Sequence, residues 1–169
     1  MWRAFWAWYE RTYTLNVSIA FGLLLLQIMH LFWLSGEVVW GRLFGEPLFA
    51  LAGWHELLIA FVDYTEIPAL LSVSLVYINE LRQGWNIKSI LYLFFLNSQW
   101  LHIFWITDEV VAVTLSGSAL IAIPLWLAWV AIGIDYLEVP VMVDTGRKFF
   151  RAVRERRARE FMKHELRER

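Results

Sequence analysis

Two stretches of this chain, 72 positions apart, read almost alike: QIMHLFWLSGE at residues 27–37 and QWLHIFWITDE at residues 99–109. A second pair follows at the same offset, DYTEIP at residues 63–68 and DYLEVP at residues 135–140. Over the window 27–68, 16 of the 42 aligned positions are identical without a gap, far more than chance would give. The sequence therefore contains an internal repeat, and each copy carries the same polar residues inside apolar surroundings.

The rest of the chain is apolar enough for a membrane protein. Hydrophobic residues make up 59% of the 169 positions, and 11 of them are Trp, which is more than a soluble domain of this length needs. Four apolar stretches are each long enough to cross a hydrocarbon layer of about 30 Å. These predicted spans are Leu15–Trp40, Leu48–Tyr77, Ile87–Val113 and Ala119–Val143.

Two spans per copy imply that both copies enter the membrane in the same direction. We therefore expect an all-α integral membrane protein of two tandem parallel hairpins, related by a pseudo-twofold axis along the membrane normal. The simplest such structure is a four-helix bundle in which axis-facing residues of one copy meet their counterparts. The predicted segments are an interfacial N-terminal helix (1–14), repeat 1 (15–84), repeat 2 (85–146) and a charged C-terminal helix (147–169).

The charge distribution predicts the orientation. Ten Lys and Arg residues follow Val143, although the formal net charge of the chain is only −1. By the positive-inside rule this end is cytoplasmic, and four spans then place the N-terminus, with Arg3 and Arg11, on the same side. The expected location is a prokaryotic inner membrane. Interleaved Glu residues make the tail a solvated helix near lipid headgroups, so the expected partner is the bilayer rather than nucleic acid.

The repeated polar residues share helix faces. On the first span, Gln27 and His30 lie one turn apart, and Glu37 lies two turns beyond His30 on the same side. On the second span, Asp63 and Glu66 are three residues apart and again share one face. Both faces can point toward the axis of the bundle. The same spacing recurs in the second copy at Gln99, His102, Glu109, Asp135 and Glu138.

The depth of the carboxylates depends on where the second and fourth spans begin. If they begin near Pro124 and its counterpart Ala52, Asp63 and Asp135 lie about 10 residues from the outer surface, level with the two His residues. If they begin near Pro47 and Ala119, the carboxylates lie about 8 Å deeper. We favour the first register, because there the polar groups can satisfy each other.

An ionised carboxylate at the bilayer centre costs at least about 2.5–3.5 kcal/mol on insertion scales. The sequence offers no Lys or Arg in the middle of any span to neutralise the repeated carboxylates. The carboxylates would then need a bound cation, shared protons or a water-filled cavity. If the partner is a cation, mixed carboxylate and imidazole donors suit Fe, Mn or Zn better than Cu(I). The predicted metal ligands are two His and four carboxylates: His30, Asp63, Glu66, His102, Asp135 and Glu138.

Other repeated residues are weaker candidates. Glu37 and Glu109 can equally be solvated residues at the outer helix ends. Gln27 and Gln99 fit better as hydrogen-bond donors that support the ligands than as ligands themselves. Pro68 and Pro140 follow the carboxylate pairs by two residues and are expected to bend the helices and free a carbonyl near the site.

Several functions remain open. The first is a membrane metalloprotein, with one metal or two, acting as an oxidoreductase on a lipid-soluble substrate. The ligand count equals that of dimetal carboxylate sites in helical bundles, but those carry Glu-x-x-His on one helix, and here His and Asp-x-x-Glu are on different helices. The second is a proton or cation translocation unit lined by the same residues. The third is a structural or haem-holding subunit of a larger membrane complex, in which His30 and His102 would hold a b-type haem; the carboxylates make haem less favoured. The expected protein partners are other membrane subunits or a second copy in a homodimer.

Overall fold

The computed structural model describes residues 1–50, 54–118, 121 and 124–165, and within these ranges the chain forms helices and no strands. Two segments, π1 (Leu34–Val39) and π2 (Thr107–Ala112), have π-helical geometry. The α-helices in chain order are α1 (Trp2–Arg11), α2 (Tyr13–Trp33), α3 (Trp40–Phe44), α4 (Trp54–Tyr64), α5 (Glu66–Gln83), α6 (Ile87–Ile106), α7 (Val113–Ser116), α8 (Leu125–Tyr136) and α9 (Glu138–Glu165).

Four helical runs are long and apolar enough to cross a membrane: Tyr13–Phe44, Phe61–Gln83, Ile87–Ile106 and Trp126–Ala158. They pack around a core that includes Val17, Leu24, Val73, Leu96 and Val141. Large apolar side chains cover the outside, as a hydrocarbon environment requires, and Phe32, Phe61, Phe94 and Trp126 are each at least 65% exposed. The all-helical architecture with four candidate spans agrees with the sequence prediction.

The packing order follows from the helix contacts. Helix α2 packs against α5 and α9, while α6 packs against α5, α8 and α9. Helices α4 and α5 therefore lie between α2 and α6 on one side of the bundle. Helix α9 lies between α2 and α6 on the other side. This arrangement leaves α2 and α6 opposite each other, with their buried polar residues toward the middle.

The second and fourth spans are each broken at one residue. Thr65 separates α4 from α5 with φ −69° and ψ −12°, and Leu137 separates α8 from α9 with φ −69° and ψ −15°. Pro68 and Pro140 lie three positions after these breaks, in the first turns of α5 and α9. A proline is tolerated there because first-turn N–H groups have no intrahelical partner, whereas in a continuous helix its ring would clash with a preceding carbonyl.

The outer helix ends support the shallower register. Helix α8 begins at Leu125 with Pro124 preceding it in an extended conformation, and α4 is helical from Trp54. Neither begins near Pro47 or Ala119, the positions of the deeper alternative; Ala119 itself lies outside the described residues. The prediction of a helix start at Pro124 is therefore confirmed to within one residue.

The first and third spans both end in a π-helical segment and a short helix that stops at a glycine. Gly45 has φ +87° and Gly117, 72 positions later, has φ +78°, a conformation that disfavours other residues. After Gly45 the chain turns back, and the N–H of Leu48 donates to the carbonyl of Gly36. A Cβ on Gly36 would lie 2.4 Å from the ring of Phe49, so a larger residue there would require the Phe49 side chain to move.

The N-terminal helix α1 packs against the rest of the bundle. Trp6 and Tyr9 are buried, and the Arg82 guanidinium lies 4.1 Å from the centre of the Trp6 ring. Burial raises the pKa of the Tyr9 phenol, and Tyr13 adds to the effect, so this hydroxyl stays neutral. Trp2 and Trp8 remain exposed, as expected for a helix at the membrane surface.

The opposite end of the bundle from α3 and α7 carries a charged cluster. Asp144 contacts Lys88 and Lys148, and it accepts a hydrogen bond of 3.0 Å from the Tyr77 hydroxyl. Lys148 also lies 3.0 Å from Glu80. The cluster joins α5, α6 and α9, and α9 itself continues without interruption past residue 147, where the charged C-terminal segment was expected to begin.

Candidate metal centre

The six predicted ligands are all buried in the middle of the bundle, where they are at most 5% exposed. Helix α2 supplies His30 and α6 supplies His102. The four carboxylates come from the two broken spans: Asp63 and Asp135 lie in the last turns of α4 and α8, and Glu66 and Glu138 are the first residues of α5 and α9. The helix breaks therefore fall between the two carboxylates of each pair.

Each His contacts the Asp of its own repeat. His30 Nδ1 contacts Asp63 Oδ1, and His102 Nδ1 lies 2.9 Å from Asp135 Oδ1. One contact crosses between the repeats, because His30 Nε2 lies 3.6 Å from Asp135 Oδ2. The imidazoles and aspartates thus form one continuous cluster instead of two separate pairs.

The two imidazoles also meet. Their ring centroids lie 5.1 Å apart with the planes at 73°, an edge-to-face arrangement. One ligand atom from each of His30, Asp63 and His102 can be chosen so that all three lie within 4.8 Å of one another. Three donors at such separations, all buried, are a geometry that can hold a metal ion after small side-chain adjustments.

The two glutamates lie close to each other. The carboxyl groups of Glu66 and Glu138 lie within hydrogen-bonding reach of one another, and both also feel the charges of Asp63 and Asp135. Two ionised carboxylates repel strongly at this separation, so the pair requires a shared proton or a bound cation.

Several buried polar atoms of the cluster lack a properly aligned hydrogen-bond partner. The contacts between the rings and carboxylates are close in distance but poor in angle. An unsatisfied buried polar group costs roughly 1–3 kcal/mol, so such a concentration in one place points to a missing partner. The atoms concerned are both ring nitrogens of His30 and His102, both carboxylate oxygens of Asp63, Asp135 Oδ2 and Glu138 Oε1.

The two glutamines support the helix breaks. Gln27 Nε2 donates to Thr65 Oγ1 at 3.2 Å and, more weakly, to the Val62 carbonyl at 3.4 Å. Gln99 Nε2 donates to the Ile134 carbonyl at 3.0 Å. Val62 and Ile134 each precede a site Asp. The glutamines therefore hold the backbone beside the aspartates, and among the described residues Gln99 Oε1 is buried without a partner.

The weaker ligand candidates Glu37 and Glu109 belong to the two π-helical segments. Glu37 is half-buried in π1 and accepts a 2.7 Å hydrogen bond from the indole N–H of Trp33. The backbone of Glu109 belongs to π2, but its side chain lies outside the described residues. The structure thus gives Glu37 a partner in its own helical run and does not decide the role of Glu109.

Sequence reasoning missed a set of hydroxyl groups around the cluster. The Tyr64 hydroxyl lies 2.9 Å from Thr107 Oγ1, and the Tyr136 hydroxyl lies 2.7 Å from Ser35 Oγ. The tyrosines are identical between the copies, and Ser35 and Thr107 are chemically alike at the same offset. The shared offset of these hydroxyl side chains is visible in the sequence and could have indicated that they have a common structural role.

The centre lies closer to the ends of the spans that carry α3 and α7 than to the charged cluster at the other end. Asp63 is nine residues from the described start of α4 at Trp54, about 14 Å, and 17 residues from Glu80, about 25 Å. No Lys or Arg occurs between Arg42 and Arg82 or between Lys88 and Arg147, so the nearest sequence positions offer the carboxylates no permanent positive charge.

Comparison with known proteins gives no relative: no protein family, curated protein or solved structure matches this chain.

Proposed function

We propose that this chain is an integral membrane metalloprotein with an intramembrane centre of His30, Asp63, Glu66, His102, Asp135 and Glu138. The observation that carries the proposal is the buried group His30, Asp63 and His102, whose donor atoms lie within 4.8 Å of one another. These donors occur where buried polar atoms lack aligned partners, and a cation is the partner that satisfies several of them at once.

The separations are compatible with a transition metal. Metal bonds of about 2.0–2.2 Å to imidazole and carboxylate place two ligand atoms up to roughly 4 Å apart, so a modest contraction would complete the site. The Nδ1 contacts to aspartate leave Nε2 of each imidazole as a possible donor atom. That pattern resembles carboxylate–histidine–metal triads, in which the carboxylate orients the ring.

Charge balance favours one or two divalent ions. Four ionised carboxylates and two neutral imidazoles carry a net charge of −4, which two divalent ions would cancel. One ion would suffice if Glu66 and Glu138 are both protonated. Hard carboxylates with imidazole favour Fe, Mn or Zn, and Fe or Mn would allow oxidoreductase chemistry on a lipid-soluble substrate reaching the centre from the bilayer.

The repeat gives the proposed architecture. The two hairpins would be related by a pseudo-twofold axis along the membrane normal, with His30 facing His102 and Glu66 facing Glu138 across it. The matching helix breaks and His–Asp contacts at an offset of 72 residues support this arrangement. The basic α9 would place both termini in the cytoplasm of a prokaryotic cell, with other membrane subunits or a second copy as open partners.

The test is elemental analysis and an absorption spectrum of protein purified without chelators. Stoichiometric Fe, Mn or Zn without a Soret band is the expected result. Metal below about 0.1 equivalents, in protein shown to be folded, would exclude the metalloprotein proposal.

The contact between Glu66 and Glu138 favours a second candidate, a proton path. Two protonated His residues, two aspartates and two protonated glutamates would form a neutral cluster without any metal, and such proton-sharing groups commonly mark conduction paths. Protein reconstituted in vesicles that carry a pH-sensitive dye inside would then relax an imposed pH gradient. A Glu66→Gln variant would abolish this flux, whereas the metal centre predicts no flux in either protein.

Haem fits the described geometry less well than a small ion. Two axial imidazoles must lie on opposite faces of a porphyrin, but here the rings meet edge to face at 5.1 Å and both contact aspartates. A porphyrin would have to displace these charged side chains and separate α2 from α6. The donor set therefore favours a bare ion.

A further inference from the structure

Two reciprocal hydrogen bonds join the hairpins at the level of the centre. Tyr64 of the first repeat pairs with Thr107 of the second at 2.9 Å, and Tyr136 of the second pairs with Ser35 of the first at 2.7 Å. Each member of one bond lies 72 positions from the corresponding member of the other. We call these two bonds the tyrosine clamps.

The direction of both bonds follows from the number of protons. Ser35 Oγ donates to the Leu31 carbonyl at 2.7 Å, and Thr107 Oγ1 donates to the Ile103 carbonyl at 2.7 Å. A hydroxyl has one proton, and here it is already committed to the preceding helical turn. The tyrosines must therefore donate, and each phenol is held by an acceptor that is itself fixed to the helix.

The clamps close the ring of helices around the centre. The two Nδ1–Asp contacts and the glutamine hydrogen bonds cross from α2 to α4 and from α6 to α8, which is within a hairpin. The longer contact of His30 Nε2 with Asp135 crosses between the hairpins. The clamps also connect α4 to π2 and α8 to π1, which is between hairpins. Every boundary between neighbouring spans at this level is therefore bridged by a polar contact.

The residues of each clamp lie close in sequence to predicted ligands. Tyr64 and Tyr136 directly follow Asp63 and Asp135. The acceptors lie five residues after His30 and His102, beside the points where regular α-helix gives way to π1 and π2. Movement of a clamp would therefore displace an aspartate from one repeat relative to a histidine from the other.

We propose that Tyr64 and Tyr136 are positioning residues of the centre, whose hydroxyls fix the position of each aspartate relative to the imidazole of the opposite repeat. This inference rests on the proposed metal site. It assigns the tyrosines no contact with the metal. Loss of one clamp should relax the distance between the repeats without unfolding either hairpin, because intramembrane hydrogen bonds contribute little individually.

The first test measures metal binding with Co²⁺, whose visible spectrum reports the coordination geometry. Tyr64→Phe and Tyr136→Phe should each weaken Co²⁺ binding about threefold, as expected for loss of one intramembrane hydrogen bond, and alter the absorption bands. Thr107→Val should reproduce the effect of Tyr64→Phe, and the two together should add nothing further, because they remove the same bond. Tyr92→Phe is the matched control, since this phenol lies near Lys88 at the other end of α6 and should have no effect.

The second test needs no metal. The chain has no Cys, so spin labels at Phe61→Cys and Phe104→Cys, two exposed positions flanking one clamp, report the separation of α4 and α6. The distance distribution should broaden in Tyr64→Phe/Tyr136→Phe and stay narrow in Tyr92→Phe. Unchanged distances together with unchanged Co²⁺ binding would overturn the clamp proposal. Absence of Co²⁺ binding by the unsubstituted protein would instead refute the metal centre, and the distance measurement would then decide on the clamps alone.

Discussion

The imidazoles of His30 and His102 lie edge to face with ring centroids 5.1 Å apart, although 72 residues separate them in the chain. They occupy equivalent positions of the repeat, so this is a contact between one residue and its own counterpart. Similar self-pairing joins Glu66 to Glu138. Residues on an axis between two copies meet their counterparts in this way, and duplication of a single hairpin can thereby double the donors at one point.

Removal of one ligand should deplete the metal and destabilise the fold. His102→Ala leaves Asp135 buried without the imidazole of its own repeat, and a buried polar group that loses its partner costs about 1–3 kcal/mol, more when it is charged. Asp135→Asn keeps the shape and should cost less while still weakening metal binding. Metal content and thermal unfolding of the purified variants measure both effects.

The matched control is His55→Ala, since His55 is exposed near the start of α4. It should leave metal content unchanged. Full metal occupancy in both His102→Ala and Asp135→Asn would show that these residues are not ligands.

Neutralising one carboxyl group of the Glu66–Glu138 pair should have opposite effects on stability in metal-free and in metal-loaded protein. In metal-free protein, Glu66→Gln removes the repulsion between two adjacent carboxylates and should raise the unfolding temperature. In loaded protein it removes a ligand and should lower both the metal stoichiometry and the gain in stability that metal provides. Glu46→Gln, at an exposed outer position, should change neither quantity.

Thermal unfolding with and without added metal tests this reversal. A stabilising effect of Glu66→Gln in both conditions would mean that the pair holds protons and not a metal, and would favour the proton path. A destabilising effect in both would mean that the carboxylates are already compensated by another group.

The polar cluster was predictable because its residue types are rare in apolar helices and repeat without a gap. The proximity of His30 to Asp63 followed from helix faces and a common depth, and the start of α8 near Pro124 followed from the constraints on proline. The breaks at Thr65 and Leu137 were only partly predictable. Pro68 and Pro140 indicated a bend in each helix. That Pro68 lies in the first turn of α5 depends on which backbone carbonyls accept hydrogen bonds from donors outside the helix.

Other features could not be predicted from a single sequence. The π-helical segments require one extra residue per turn, which has no periodic signature in six residues. The residues of the tyrosine clamps recur at an offset of 72, but which tyrosine pairs with which hydroxyl depends on the packing of helices that are more than 40 positions apart in the chain. The cluster around Asp144 has no counterpart in the first repeat, where Ser72 occupies the equivalent position, so the repeat gave no signal for it.

The orientation can be tested with introduced cysteines, because the chain contains none of its own. Ser118→Cys, in the connection after α7, should react with a membrane-impermeant maleimide from the outside of intact cells. Trp85→Cys, 84% exposed between α5 and α6, should react only after the membrane is opened. The reverse pattern would invert the proposed topology, and labelling of both from one side would contradict four spans.

The two glutamines should differ in their effect on stability but not on the centre. Gln27→Leu removes donation to Thr65 and Val62, whereas Gln99→Leu removes one bond to Ile134 and also eliminates an unpartnered buried oxygen. In metal-free protein, Gln27→Leu should therefore cost about 1 kcal/mol and Gln99→Leu about half of that or less, measured by unfolding.

Metal binding should respond alike to both changes, because each glutamine holds the backbone carbonyl that precedes a site aspartate. Loss of such support typically weakens metal affinity about 10- to 100-fold, and competition titration with a chromophoric chelator measures it. Asn97→Leu is a suitable control, because Asn97 is exposed on α6 and donates to the carbonyl of Leu93 one turn earlier in its own helix. If neither glutamine variant binds metal more weakly than Asn97→Leu, the glutamines serve packing alone, and the aspartates are held by the helix breaks without them.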